Sequence, residues 1–213
     1  PLQVILEILG LPRGDYPLML QLTQQLFGQE DADLQRGAAT PSNREAIFAD
    51  FFAYFRALSA DRRANPTEDL ATVIANATLE GQPLPEPSTL GYYIIVATAG
   101  HDTTSNAIAS AVHLLATNPG QLAKLRERPD LLTNAMEEVL RRASPVRHFM
   151  RTVQEDTEIA GQKVKAGERL YLSYKAANLD PKVFEDPRRF DIERPNAGKN
   201  ASFGYGAHFC LGA

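Results

Sequence analysis

The chain has 213 residues, 44% hydrophobic and 23% charged, as in an ordinary globular protein that buries a sizeable core in one or two domains. A net charge of −4 gives no basic footprint for nucleic acid, and no apolar run reaches the roughly 18 residues a membrane span needs. The single cysteine excludes an internal disulfide and suits a reducing, cytoplasmic setting.

Taken in order, residues 1–28 read as helical, in two apolar patterns that end at Gly10 and Gly28. Residues 29–42 are polar, with Gly37, Pro41 and Ser42, and read as a loop. An amphipathic helix is expected from Asn43 to Arg63, its Phe48, Phe51, Phe52, Tyr54, Phe55 and Leu58 forming an aromatic stripe suited to a core. Leu70 to Leu79 predicts a short helix, and Glu80 to Pro87 a turn-rich link.

Ser88 to Asn118 is the longest run without proline. Tyr92-Tyr93-Ile94-Ile95-Val96-Ala97 could alone be a buried strand, but the length of the run favours one buried helix. Polar residues sit in its middle, Gly100-His101-Asp102-Thr103-Thr104. They need a partner or a purpose, unless Asp102 caps a break between two helices. Further helices are expected at Gln121–Arg128 and Leu131–Ala143, closed by Ser144-Pro145. From Phe149 to Ser173 the pattern becomes short strands, with turns at Gly161-Gln162 and Ala166-Gly167. After a helical turn at Lys175–Asn178, the chain is irregular to Ala201, and an irregular stretch of that length normally has a task. The fold class is therefore mainly α with a small β component.

The last dozen residues concentrate chemistry. Ser202-Phe203-Gly204-Tyr205-Gly206-Ala207-His208-Phe209-Cys210-Leu211-Gly212-Ala213 holds the cysteine among three glycines. Glycine lets a backbone turn tightly, and a thiolate is a soft ligand for iron that nearby amides can tune. A lone cysteine is otherwise most often a small buried hydrophobe. Glu138 and Arg141, three residues apart on one helix face, are close enough to pair.

FGYGAHFCLG resembles, at each fixed position, the F-G-x-G-x-H-x-C-x-G cysteine loop of the cytochrome P-450 family, the haem-thiolate monooxygenases. Three further segments agree with it in order. Ala99-Gly100-His101-Asp102-Thr103-Thr104 resembles the family's oxygen-binding A-G-x-D-T-T, Glu138-Val139-Leu140-Arg141 its E-x-x-R, and Arg194 the arginine that packs against that pair. The resemblance implies a partial cytochrome P-450 fold, with 1–213 part of one domain that lacks N-terminal elements and the helix after the cysteine loop. On that reading the chain is an internal fragment, and the isolated piece is expected to bind haem poorly and to be inactive.

For the intact protein the resemblance implies heme b held by Cys210 as axial thiolate, in a loop that includes Phe203, Gly204 and Gly206. Glu138, Arg141 and Arg194 would form a structural charge network locking that loop. His208 and Arg151 would neutralise haem propionates; Arg147 and His148 lie near the same strand, which leaves open which polar side chain reaches the haem. Thr103 would hold a water beside dioxygen and Asp102 would relay protons, with Ala99 and Gly100 against the cofactor. Gly100 and Thr103 would open the helix locally, and His101 has no catalytic role. Leu179 departs from the Asn-Arg-Asp of many bacterial relatives, outside the core chemistry.

The implied reaction inserts one atom of dioxygen into an apolar small molecule, terpenoid or steroid-like, and reduces the other to water. Ile95, Val96, Ala99 and Val146 would help line the substrate site. Electrons would come from NAD(P)H through a ferredoxin reductase and a ferredoxin. The alternative is a haem-binding sensor or carrier without turnover, against which the Asp102–Thr103 pair argues.

Overall fold

The computed structural model describes residues 1–28, 31, 33–36 and 40–213; part of the expected 29–42 loop lies outside them. Two compact units divide the chain, Pro1–Asp102 and Thr103–Ala213. The helices are α1 Leu2–Leu9, α2 Tyr16–Phe27, α3 Pro41–Ala64, α4 Leu70–Ala75, α5 Glu86–Thr117, α6 Pro119–Glu127, α7 Leu132–Ala143 and α8 Tyr174–Ala177. The strands are β1 Thr78–Leu79, β2 Gln82–Pro83, β3 His148–Thr152, β4 Thr157–Ile159, β5 Gln162–Val164 and β6 Arg169–Ser173. Among the described residues no helix is long and apolar enough to cross a membrane. The mainly helical expectation with small sheets holds.

In the first unit, α1 buries Leu2, Leu6 and Leu9, one face at helical spacing, and α2 adds Met19, Leu22 and Leu26. The aromatic stripe of α3 divides: Phe51 and Phe55 are fully buried, whereas Phe52 is exposed. Phe55 stacks on Phe51 at 6.1 Å and on Tyr93 of α5 at 5.1 Å between ring centroids. The Tyr93 hydroxyl donates to the Ala71 carbonyl at 2.6 Å, so this buried ring keeps its polar end satisfied.

Several expected boundaries shift by a residue or two, α5 starting at Glu86, α6 spanning Pro119–Glu127 and α8 Tyr174–Ala177, and three further changes have a local cause. Helix α3 begins two residues earlier than expected, because Pro41 occupies its first turn and the Thr40 hydroxyl accepts from the Asn43 N–H. The expected Leu70–Leu79 helix stops at Ala75, and Thr78–Leu79 pairs with Gln82–Pro83. Glu80 and Gly81 both have positive φ, 53° and 77°, the geometry that joins two strands by a two-residue turn. The same geometry at Ala160 and Gly161, 50° and 83°, puts the β4–β5 turn one residue earlier than expected.

Gly10 ends α1 in the left-handed region, φ 78°, while Gly10 N–H and Leu11 N–H close back on Glu7 and Leu6. A Cβ there would stand 2.1 Å from the Asp69 carboxylate, so glycine is required twice over. Asp69 caps α4 through the Thr72 N–H at 2.7 Å and pairs with Arg62 at 2.8 Å. A second Arg62 nitrogen donates to the Gly10 carbonyl at 2.8 Å, tying the ends of α1, α3 and α4 together.

Burial alone would raise the Asp69 pKa, but hydrogen bonds from Thr67, Thr72 and Arg62 outweigh it and hold it at about 2, below an ordinary value of 3.8. A carboxyl depressed in the folded state contributes stability above its unfolded value and loses it as pH falls through the folded one. We expect stability on the order of 2 kcal/mol to disappear between about pH 4 and pH 2. Chemical denaturation across that window should show the slope in the parent and a flatter curve in Asp69→Asn; identical slopes would refute it.

Candidate functional site

The second unit is organised by one fully buried carboxylate. Glu138 and Arg141, on the inward face of α7, pair at 2.7 and 2.8 Å in fork geometry. Arg194 reaches the same carboxylate through its Nε, at 3.1 and 3.2 Å, and the Asp191 N–H adds a bond at 3.1 Å. The three expected network residues are thus brought together. Two guanidiniums against one carboxylate leave an excess positive charge, and backbone carbonyls absorb it. Arg141 donates to Asn178, Pro187 and Arg189; Arg194 donates to Glu185, Asp186 and Arg189. The Phe184 ring covers Arg141, 4.9 Å from centroid to guanidinium carbon.

A second centre, unforeseen from sequence, joins this network to the cysteine loop. Asn178 is fully buried. Its backbone carbonyl accepts from Arg141 at 2.7 Å, and its side-chain amide donates to the Ser144 and Ser202 hydroxyls at 2.9 and 3.0 Å. Its Oδ1 accepts the Ala201 N–H at 2.6 Å, and the Ser202 hydroxyl donates to the Leu140 carbonyl at 2.9 Å. The available signal was Ser144, left-handed at φ 46°, between the end of α7 and a proline. The sequence around Asn178 draws attention to Leu179 instead.

The cysteine loop continues from this anchor. Gly204 and Gly206 have φ of 72° and 74°, conformations other residues rarely adopt. A Cβ on Gly204 would also press the Tyr174 hydroxyl at 3.0 Å. The Cys210 N–H donates to the Phe203 carbonyl at 2.9 Å and the Phe209 N–H to the Gly206 carbonyl, closing the loop, while the rings of Phe203 and Phe209 lie 6.2 Å apart. Cys210 is a free, exposed thiol, with Phe209 beside it 54% exposed.

His208 is exposed on the same loop. Arg151 is half-buried on β3, opposite Leu170 of β6, and its guanidinium donates to the neighbouring Met150 carbonyl at 3.0 Å. Among the described residues neither side chain pairs with a carboxylate, and no group of three or more His, Cys, Asp or Glu gathers to hold a metal ion. The donor set is therefore one accessible thiol on a braced, glycine-shaped loop with apolar rings beside it. That fits a metal whose other ligands come with an apolar, carboxylate-bearing cofactor.

The remaining candidates lie on α5. The helix runs unbroken through Ala99–Thr104, so Asp102 caps no break. Ala99, Gly100 and Asp102 belong to the first unit, and Thr103 opens the second. Asp102 is partly exposed, with the His101 Nδ1 at 3.2 Å from its carboxylate. Gly100 serves packing: an added Cβ would lie 2.9 Å from the Ile5 Cδ1 of α1.

A family model described as cytochrome P-450 matches residues 44–213. Cytochrome P-450-terp of a Pseudomonas species is 42% identical over 220 residues, covering all of this chain and 51% of that relative. Linalool 8-monooxygenase of Pseudomonas putida is 36% identical over 213 residues, covering all of this chain and 52% of the relative. The crystal structure of CYP108D1 from Novosphingobium aromaticivorans aligns over the whole chain and 49% of its own, with 48% identity and a TM-score of 0.86. The chain thus spans about half the length of the curated relatives it matches.

Two substitutions separate the buried centres. Asn178→Ala orphans the Ala201 N–H and removes a donor from the Ser144 and Ser202 hydroxyls, which keep their bonds to the Arg141 and Leu140 carbonyls; it should cost about 1–3 kcal/mol and speed hydrogen exchange at Ala201. Glu138→Gln leaves two guanidiniums without a counter-charge and should cost about 3–5 kcal/mol. Unchanged exchange at Ala201 in Asn178→Ala would remove that residue's assigned role.

Proposed function

The chain belongs to the cytochrome P-450 family, and from that membership we propose that the whole protein is a haem-thiolate monooxygenase that hydroxylates an apolar small molecule. The observation that carries this reading is the free Cys210 thiol on a loop braced by Asn178 and the Glu138–Arg141–Arg194 network. Heme b, when bound, supplies the iron chemistry that puts one atom of dioxygen into a C–H bond and reduces the other to water. Cys210 would hold its iron through the thiolate, and an anionic sulfur donor favours cleavage of the O–O bond. Phe203, Gly204 and Gly206 shape the loop that presents it. His208 and Arg151 would meet the cofactor's carboxylates, which need a counter-charge beside an apolar body.

On α5, Asp102 is partly exposed and so can exchange protons with water, while its carboxylate lies beside His101. Thr103 follows it on the same helix. Together they would deliver the two protons that reduction of one oxygen atom consumes, Asp102 from solvent and Thr103 through an ordered water. Ala99 would leave room beside them, and Gly100 sets the approach of α1. Ile95, Val96, Ala99 and Val146 would offer apolar surface to the substrate. NAD(P)H would supply electrons through a ferredoxin reductase and a ferredoxin, in the cytoplasm, with the residues 1–213 forming part of a single domain.

Two variants of the whole protein test this. Thr103→Ala should lower hydroxylated product per NAD(P)H about tenfold or more while reducing equivalents are still consumed. Cys210→Ala should abolish the carbon monoxide spectrum of thiolate-ligated iron. Unaltered coupling in the first, or an unaltered spectrum in the second, would overturn the respective assignment.

A further inference from the structure

One apolar cleft of the first unit carries a single charge. Its volume is about 420 Å³, within the range of small-molecule sites. Phe27 of α2, Phe48 and Phe52 of α3, and Ile94 and Ile95 of α5 form its walls. Phe27, Phe52 and Ile95 are 55%, 37% and 54% exposed, so this apolar surface is presented to a ligand rather than spent on the core. Arg44 is the one charged residue of the lining. It stands one turn before Phe48 and two turns before Phe52 on α3, which places guanidinium and rings on one stripe. Among the described residues its side chain has no ion-pair or hydrogen-bond partner.

The other wall leads toward the proposed chemistry. Ala99 and Asp102 follow Ile95 on the same face of α5, four and seven residues on, and about 1.5 Å of rise per residue sets Asp102 about 10 Å along the axis. A wholly apolar ligand would leave the Arg44 charge unanswered, and a cationic one would be repelled. A planar carboxylate matches the guanidinium fork in both charge and shape.

We propose that this cleft receives the carboxylate end of an amphipathic substrate, an apolar chain or ring system bearing one acid group. Arg44 pairs the acid, and Phe27, Phe52 and Ile95 cover the apolar body along the α5 wall. Arg44 is thus a specificity-determining residue, and the assignment rests on the reading of that α5 face as substrate-facing. The pair is exposed to solvent, which limits its worth to about 1 kcal/mol, close to a fivefold change in affinity.

Calorimetric titration of the whole protein with decanoate and with decanol tests the proposal. Decanoate should bind about fivefold more tightly, and added salt should erode that advantage. Arg44→Gln should weaken decanoate by the same factor and leave decanol unchanged, and Arg44→Lys should restore most of the loss. Phe52→Ala should weaken both ligands alike. Equal binding of acid and alcohol by the parent, or an equal effect of Arg44→Gln on both, would overturn the proposal. Absence of thiolate-ligated haem would instead overturn the proposed function, and the heats of binding would still decide the role of Arg44.

Discussion

The Glu138 carboxylate is the constraint on which the second unit depends. It is fully buried, and an isolated carboxylate in that position would be prohibitively costly. Arg141 and Arg194 make it tolerable, yet two cations and one anion do not balance. The remaining charge is spread over carbonyls of residues 178–189, all from the irregular stretch. This accounts for how such a stretch is held. A segment without helix or ladder must still find donors for its buried carbonyls, and here guanidinium forks supply them.

The consequence reaches the cysteine loop through Asn178. Its backbone carbonyl belongs to the charge network, and its side chain belongs to the segment entering the loop. One buried residue thereby couples the end of α7, the turn at α8 and residues 201–202. Downstream, the two left-handed glycines and the Cys210-to-Phe203 bond set the loop's shape. These contacts fix the backbone on either side of Cys210, and where a thiolate holds a metal such supporting contacts tune the centre as much as the ligand itself.

Much of this was legible in the sequence because the signals are local. Length separated the α5 helix from a buried strand, and the spacing of Glu138 and Arg141 placed both on one face. Arg194 joined them only through the family pattern, since 56 residues separate it from Glu138. Asn178 escaped because its partners Arg141, Ser144, Ala201 and Ser202 all lie 23 or more residues away, and no local spacing connects them to it. The β1–β2 hairpin escaped because Thr78 and Leu79 continue a helical pattern, and only the paired positive φ of Glu80 and Gly81 reverses the chain. Gly100 was legible as part of a motif, but its contact with Ile5 gives it a packing reason independent of any chemistry on α5.

A buried ion network is weak evidence for stability, because a well-packed apolar cluster of the same volume can stabilise a fold as well or better. An apolar replacement here would fill the space beside Phe184 and Phe190 but would donate nothing to the carbonyls of Glu185, Asp186, Pro187 and Arg189. Those groups would have to find water or each other, and the backbone between α8 and the cysteine loop would have several comparable arrangements. Fork-shaped donors with fixed geometry leave it one. The network is therefore best understood as selecting a backbone path, and that path positions the segment that enters the Cys210 loop.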